Sequence, residues 1–166
     1  VGRTLAQKCK LGFDMRVLAY DPYIKRPISN GLEVELVDEL SELLKESDFV
    51  CLTAILTEET RGIIGARELK QMKGSAHLVN ITPELVNEGA LIEALQNATI
   101  AGAGLDAFDP DPPNDPQNPL FKMSNVTVTP HMAGVTKENQ RRIALDSAEQ
   151  IIVFLQGQTP ENVYWP

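Results

Sequence analysis

Apolar runs too short to be helices alternate with stretches of helical periodicity along this whole 166-residue chain. That alternation leaves few folds open. Residues 3–11 (RTLAQKCKL) carry a helical pattern, and 15–20 (MRVLAY) read as a strand stopped by Asp21-Pro22. A short strand is predicted over 34–37, and the helix after it takes Asp38 as its N-cap. Residues 49–55 (FVCLTAI) form a continuous apolar strand, and helical character returns over 66–73 with Gly74 as its stop. A strand at 77–81, a helix at 88–98 capped by Asn87, and a Gly- and Ala-rich strand at 100–105 follow. Residues 109–124 form a loop holding five of the eleven prolines, and 126–129 make the last strand. A long amphipathic helix runs from about 136 to 155, with Ala144, Leu145, Ala148, Ile151, Ile152 and Leu155 on one face.

Strand, helix, strand, helix implies right-handed crossovers, and so an α/β fold with a doubly wound parallel sheet. The strands lack polar alternation, as expected of strands covered on both faces. Open sheets of this kind bind ligands at the carboxyl ends of their strands. The residues of interest are therefore the polar ones just past each strand: Asp21, Thr57, Asn80 to Pro83, Asp106 to Asp111, and Pro130-His131.

Size and charge narrow the function. The chain can bury a real core. Its formal net charge of −8 argues against nucleic acid or an anionic membrane surface as the main partner. No apolar run approaches the roughly 20 residues of a membrane span. Cys9 and Cys51 are too few for a disulfide scaffold and too far apart in sequence for a metal-ligand pair, so a cytoplasmic protein with reduced thiols is expected. The chain opens Val1-Gly2-Arg3, without Met or a signal-peptide pattern, and reads as a piece of a longer protein.

Two constellations carry chemistry. Gly2 before the first helix and Asp21 after the next strand fit the last glycine and the acid of a dinucleotide fingerprint, the acid accepting ribose hydroxyls. One glycine is weak support, and for this pair taken alone a tight helix–strand contact with a turn aspartate before Pro22 is the better explanation. As a ribose acceptor, Asp21 would repel a 2′-phosphate and favour NAD over NADP, a preference that nearby Lys25 and Arg26 would weaken. His131 follows the last strand, where it can serve as a general acid or base if a carboxylate orients it. Asp106, Asp109 and Asp111 are the acidic candidates. His77 opens a strand and is assigned packing or surface, with no role in chemistry.

Residues Ala101 to Thr136, AGAGLDAFDPDPPNDPQNPLFKMSNVTVTPHMAGVT, resemble the signature stretch of the D-isomer-specific 2-hydroxyacid dehydrogenases. That pattern is G-A-x-L-D-V-F, then Glu-Pro, then N-V-x-x-T-P-H-x-x-G-x-T. Further motifs lie in the same order along the chain. Leu56-Thr57-Glu58-Glu59-Thr60-Arg61-Gly62 is similar to L-T-x-E-T-R-G, and Val86-Asn87-Glu88-Gly89-Ala90-Leu91 to V-D-E-x-A-L. Val1-Gly2-Arg3 is similar to the end of G-x-G-x-I-G-R, and Tyr20-Asp21-Pro22 to Y-D-P. The resemblance implies a Rossmann-like NAD-binding domain over 1–156 and, over 157–166, the start of a return toward a substrate domain. It implies hydride transfer between nicotinamide and a small D-2-hydroxy or 2-oxo acid. His131 would be the acid/base and Asp111 would stand at its glutamate partner's place. Gly2, Asp21, Thr82, Asp106 and Gly134 would hold the cofactor, Gly2 beneath the pyrophosphate, Asp21 on the ribose and Asp106 near the carboxamide. A homodimer is implied by the same analogy.

Three departures from the family pattern stand out. Its catalytic arginine lies in N-x-x-R-G, where this chain reads Asn80-Ile81-Thr82-Pro83-Glu84, one residue shorter, with Thr82 or Pro83 at the arginine's place. No Arg occurs between Arg67 and Arg141, and Thr82, Lys70, Lys73 or a residue of another domain are the open replacements. A planar bidentate fork is not reproduced by Thr. Asp111 is one methylene shorter than the family's glutamate. The family's first strand and first two glycines have no counterpart here, and because that strand is central, a gap in the sheet is expected. The motifs therefore predict a dehydrogenase fragment, a non-catalytic NAD-binding module, or a piece that does not fold alone.

Overall fold

A computed structural model describes residues 1–24, 34–110, 113 and 115–161. Lys25, Arg26, Asp111 and Asn162-Val163 lie outside the described residues. The chain divides into two compact units, Val1–Pro130 and His131–Pro166, taken separately below.

The first unit alternates as the apolar runs require: α1 (Gly2–Phe13), β1 (Val17–Ala19), β2 (Val34–Leu36), α2 (Leu40–Glu46), β3 (Phe49–Leu52), α3 (Ala66–Leu69), β4 (His77–Asn80), α4 (Glu88–Gln96), β5 (Gly102–Leu105) and β6 (Val126–Val128). All strand pairs are parallel. The strands form two sheets, β1-β2 and β3-β4-β5-β6, so the expected interruption falls between β1 and β3. Registers such as Val50↔Leu78↔Ala103 align the apolar runs across the larger sheet. The core gathers there: Leu44, Val50, Leu69, Leu78, Leu91, Leu95, Ile100 and Leu105 are all buried and clustered. At Gly102 a Cβ would meet the Asn125 backbone oxygen at 2.7 Å, so the chain entering β6 can approach β5 only over a glycine.

Several boundaries differ from expectation. The cap position of α2 is Glu39 rather than Asp38, and no side chain caps it. The strand predicted over 49–55 ends at Leu52, because the chain leaves the ladder at Thr53 and turns back through the Thr57–Thr60 hydrogen bonds. Helix α3 is four residues long and closes with tighter bonds, Gln71 N–H to Glu68 O and Met72 N–H to Leu69 O, before Gly74. The Pro-rich loop contains a short 3-10 turn over Pro119–Lys122, and Leu120 of that turn is buried. Burial on both faces holds best for β5; in β4 only the Leu78 and Asn80 face is buried, His77 being exposed, and in the outer strands Phe49 is 54% exposed and Val128 38%.

The second unit is α5 (Lys137–Leu155) with its flanking turns. Thr136 caps it, its Oγ1 accepting the Asn139 N–H at 3.1 Å, while Asn139 Nδ2 donates to Gly134 O at 2.7 Å. None of its residues is buried, and Leu145, Ile151, Ile152 and Leu155 of the expected apolar face are each more than half exposed. Gly157, at φ 76°, ends the helix in the left-handed conformation that glycine favours.

Candidate functional site

In the first unit the polar residues past each strand collect along one edge, as the parallel topology demands. Helix α1 begins beside the end of β3: a Cβ on Gly2 would meet Thr53 Oγ1 at 2.7 Å, so a larger residue there would force the Thr53 hydroxyl to move. A helix N-terminus offers unpaired N–H groups and a partial positive charge. Asp21 follows β1, and its Oδ1 accepts the Tyr23 N–H at 3.0 Å, which fixes the carboxylate at the strand end. The Tyr23 hydroxyl donates to Glu59 at 2.6 Å, linking the segment after β1 to the segment after β3. That hydrogen bond to an anion favours the neutral phenol and raises its pKa.

Past β4, Asn80 is buried, and its Oδ1 accepts the Thr82 N–H at 3.2 Å. The Thr82 hydroxyl donates to Ala54 O at 3.1 Å. Glu84 has a positive φ of 61°, unusual outside glycine, and its carboxylate forms an ion pair with Arg61. The segment that carries Arg61 is held to this turn by Gly62 N–H to Glu84 O at 2.8 Å and Ile64 N–H to Leu85 O at 3.1 Å. A small cleft between the ends of β4 and β5 is lined by Asn80, Glu84, Leu105, Phe108 and Asp109, among others.

Past β5, Asp106 N–H donates to Asn80 O at 2.9 Å, and Asp106 Oδ1 accepts a short hydrogen bond from the Thr129 hydroxyl. Thr129 follows β6, and its own N–H reaches Leu105 O at 2.9 Å. Asp106 is thus fixed by the strands on either side of its own. His131 opens the second unit, exposed, with a positive φ of 53°. Gly134 follows it in the turn that feeds α5.

Gly2, Asp21, Thr82 and Asp106 therefore lie on one edge of the first unit, whereas His131 and Gly134 belong to the second and Asp111 lies outside the described residues. His77 is exposed and stacks on Phe49 with ring centroids 5.6 Å apart, a packing role at the opposite end of the strands. Sequence reasoning passed over Thr129, which stands directly before the singled-out Pro130-His131, and over the Arg61–Glu84 pair. Arg61 was legible only as part of a motif, since nothing local says that a residue after β3 faces a turn after β4.

The family model for "D-isomer specific 2-hydroxyacid dehydrogenase, NAD binding domain" matches residues 1–133. D-3-phosphoglycerate dehydrogenase of Methanocaldococcus jannaschii is 41% identical over 98% of this chain and 31% of its own length. Glyoxylate reductase of Korarchaeum cryptofilum is 43% identical over 98% of this chain and 48% of its own. Among solved structures, the NAD complex of a D-isomer specific 2-hydroxyacid dehydrogenase from Lactobacillus delbrueckii ssp. bulgaricus superposes with a TM-score of 0.87 at 32% identity, over 99% of this chain and 52% of that one. D-lactate dehydrogenase with NAD+ from Lactobacillus jensenii gives 0.84 at 30% identity, over 100% and 54%. The chain spans half or less of the length of these curated relatives. It belongs to the NAD-binding domain family of the D-isomer-specific 2-hydroxyacid dehydrogenases.

Proposed function

From that membership we propose that the chain is the nucleotide-binding half of an NAD-dependent enzyme that interconverts a small 2-oxo acid and its D-2-hydroxy acid. Residues 1–156 would be the NAD-binding domain and 157–166 the return toward a substrate domain. The supporting observation is the carboxyl edge of the first unit: a helix start packed against Thr53 at Gly2, Asp21, and Asp106 fixed by Thr129. These groups fit a dinucleotide. The pyrophosphate suits the N–H groups at the start of α1, the ribose hydroxyls suit Asp21, and the carboxamide suits Asp106. Bound NADH would supply the hydride at nicotinamide C4.

The chain's own residues would do the rest. Asp21 carries a negative charge where a 2′-phosphate would sit, which favours NAD. Thr129 spends its hydroxyl proton on Asp106, so that carboxylate stays an acceptor, aimed at an amide N–H donor. Thr82 and Gly134 would border the cofactor. His131 would give a proton to the substrate oxygen as hydride reaches C2, and take it back in the reverse direction; Asp111 would orient its ring. In the complete protein, His131→Ala should abolish NADH oxidation with glyoxylate, pyruvate and hydroxypyruvate while leaving NADH affinity unchanged. Retained turnover would remove the assignment. A cytoplasmic homodimer completes the proposal, and light scattering on the complete protein measures its mass.

One observation favours a second reading, that of an NAD-binding module without turnover. The turn after β4 lacks the family's arginine, and its residues cannot replace it: the Thr82 hydroxyl is spent on Ala54 O, and Pro83 has no donor. Loss of such a contact typically costs on the order of 10² to 10³ in rate. NADH binding with no oxidation across the same acids would select this reading.

A further inference from the structure

We infer that Arg61 supplies the guanidinium that holds the substrate carboxylate, in place of the arginine absent from the turn after β4. The inference rests on the dehydrogenase reading above.

The turn itself locates the gap. In the family pattern the arginine precedes a glycine, and the left-handed residue here is Glu84, at φ 61°. The glycine's place then falls on Glu84 and the arginine's on Pro83. A cation is needed within reach of that turn, and the open replacements can be compared. Lys73 pairs with Asp48 at 2.9 Å, and Asp48 directly precedes β3, so this lysine is anchored at the amino edge of the sheet, away from the cleft. Lys70 caps α3 on the path toward that same edge. Thr82 carries no charge.

Arg61 comes from another segment and lands on the turn. The Gly62 N–H bond to Glu84 O and the Ile64–Val86 bridge hold its backbone alongside residues 84–86. Its guanidinium pairs with Glu84, a residue that lines the cleft beside Asn80 and Asp109, and lies 4.0 Å from the exposed Glu58. One guanidinium nitrogen therefore already meets the carboxylate of a residue that lines the cleft. A small 2-oxo acid presents the same group, with the carbonyl to be reduced one bond away. Its carboxylate would displace that of Glu84, so Glu84 is a competitor for Arg61.

That competition gives the two partners opposite signs, which a merely structural ion pair would not. In the complete protein with NADH and glyoxylate, Arg61→Met should lower kcat/KM by about 10²- to 10³-fold. Arg61→Lys should recover part of it, because an ammonium keeps the charge but not the fork. Added guanidinium chloride should partly restore the Arg61→Met variant. Glu84→Gln should lower the KM for glyoxylate several-fold. NADH affinity, measured by fluorescence, should stay at the wild-type value throughout. A wild-type KM and kcat in an Arg61→Met variant that binds NADH normally would overturn the inference, and so would a Glu84→Gln variant that loses activity as Arg61→Met does. If the unmodified protein binds NADH but oxidises it with no small 2-oxo acid, the dehydrogenase reading itself falls and takes the inference with it.

Discussion

The two sheets carry the two halves of the proposed cofactor site on very different foundations. The four-stranded sheet owns the core: every buried hydrophobic side chain among the described residues lies between Leu44 and Leu120. The β1-β2 pair and α1 contribute none, and every residue of β1 is only partly buried. Asp106 and Thr129 stand on the packed sheet, whereas Asp21 stands on the thin one. A site of this kind need not be uniformly rigid. The proposed nicotinamide end stands on the packed sheet, and the proposed adenosine end stands on a sheet tied mainly by polar contacts such as Tyr23–Glu59 and, before β1, the Arg16 pairs with Glu35 and Glu46 at 2.6 Å.

The sharpest way to break that contrast is in the packed sheet. Leu78 is fully buried at its centre, so Leu78→Ala should cost about 2–5 kcal/mol in denaturant unfolding. A loss below that range would mean that the core is not where stability resides. Gly102→Ala should follow at about 1–3 kcal/mol, because the new methyl meets the Asn125 carbonyl rather than a movable side chain.

Acid sharpens the same contrast. Burial pushes the Glu68 carboxyl up, but the hydrogen bonds from Arg67 and from the Gly65 N–H outweigh it, and the pKa is lowered below its ordinary 4.5. A lowered native pKa gives stability that is present above 4.5 and lost as pH falls through the native value. Glu68→Gln should flatten the acid limb of stability below pH 4.5 relative to the parent. On the thin sheet, hydrogen bonds from Arg16 lower the Glu35 pKa, with the same sign, yet both groups are solvent-exposed. Arg16→Ala should therefore shift the unfolding midpoint least of all, and 0.5 M salt should shrink even that shift to about zero.

Most of the framework was legible because period and punctuation are local. The Gly-Ala-Gly-Leu run that became β5 and the Asn87 cap are written in a few adjacent residues each, whereas Thr136, read as the start of its helix, is the residue that caps it. The strand predicted over 49–55 ran long because its apolar tail, Ala54-Ile55, continues past the last hydrogen-bonded residue, and only pairing marks that end. Asp106 and His131 were legible as motif residues, but Thr129 as the partner of Asp106 was not, since a contact 23 residues distant depends on β5 and β6 being neighbours. The Arg61–Glu84 pair was hidden for the same reason. The apolar stripe of α5 was legible as a stripe, while its exposure was not, because periodicity says which residues share a face and not what covers it.

Hydrogen exchange of the complete protein, with and without NADH, tests the central claim most directly. The account predicts new protection in the first turn of α1, at Asp21 to Tyr23 and at Asp106, with β1 and β2 gaining more than β4 and β5, whose exchange is expected to be slow without NADH. Protection confined to other surfaces, or none at saturating NADH, would contradict it.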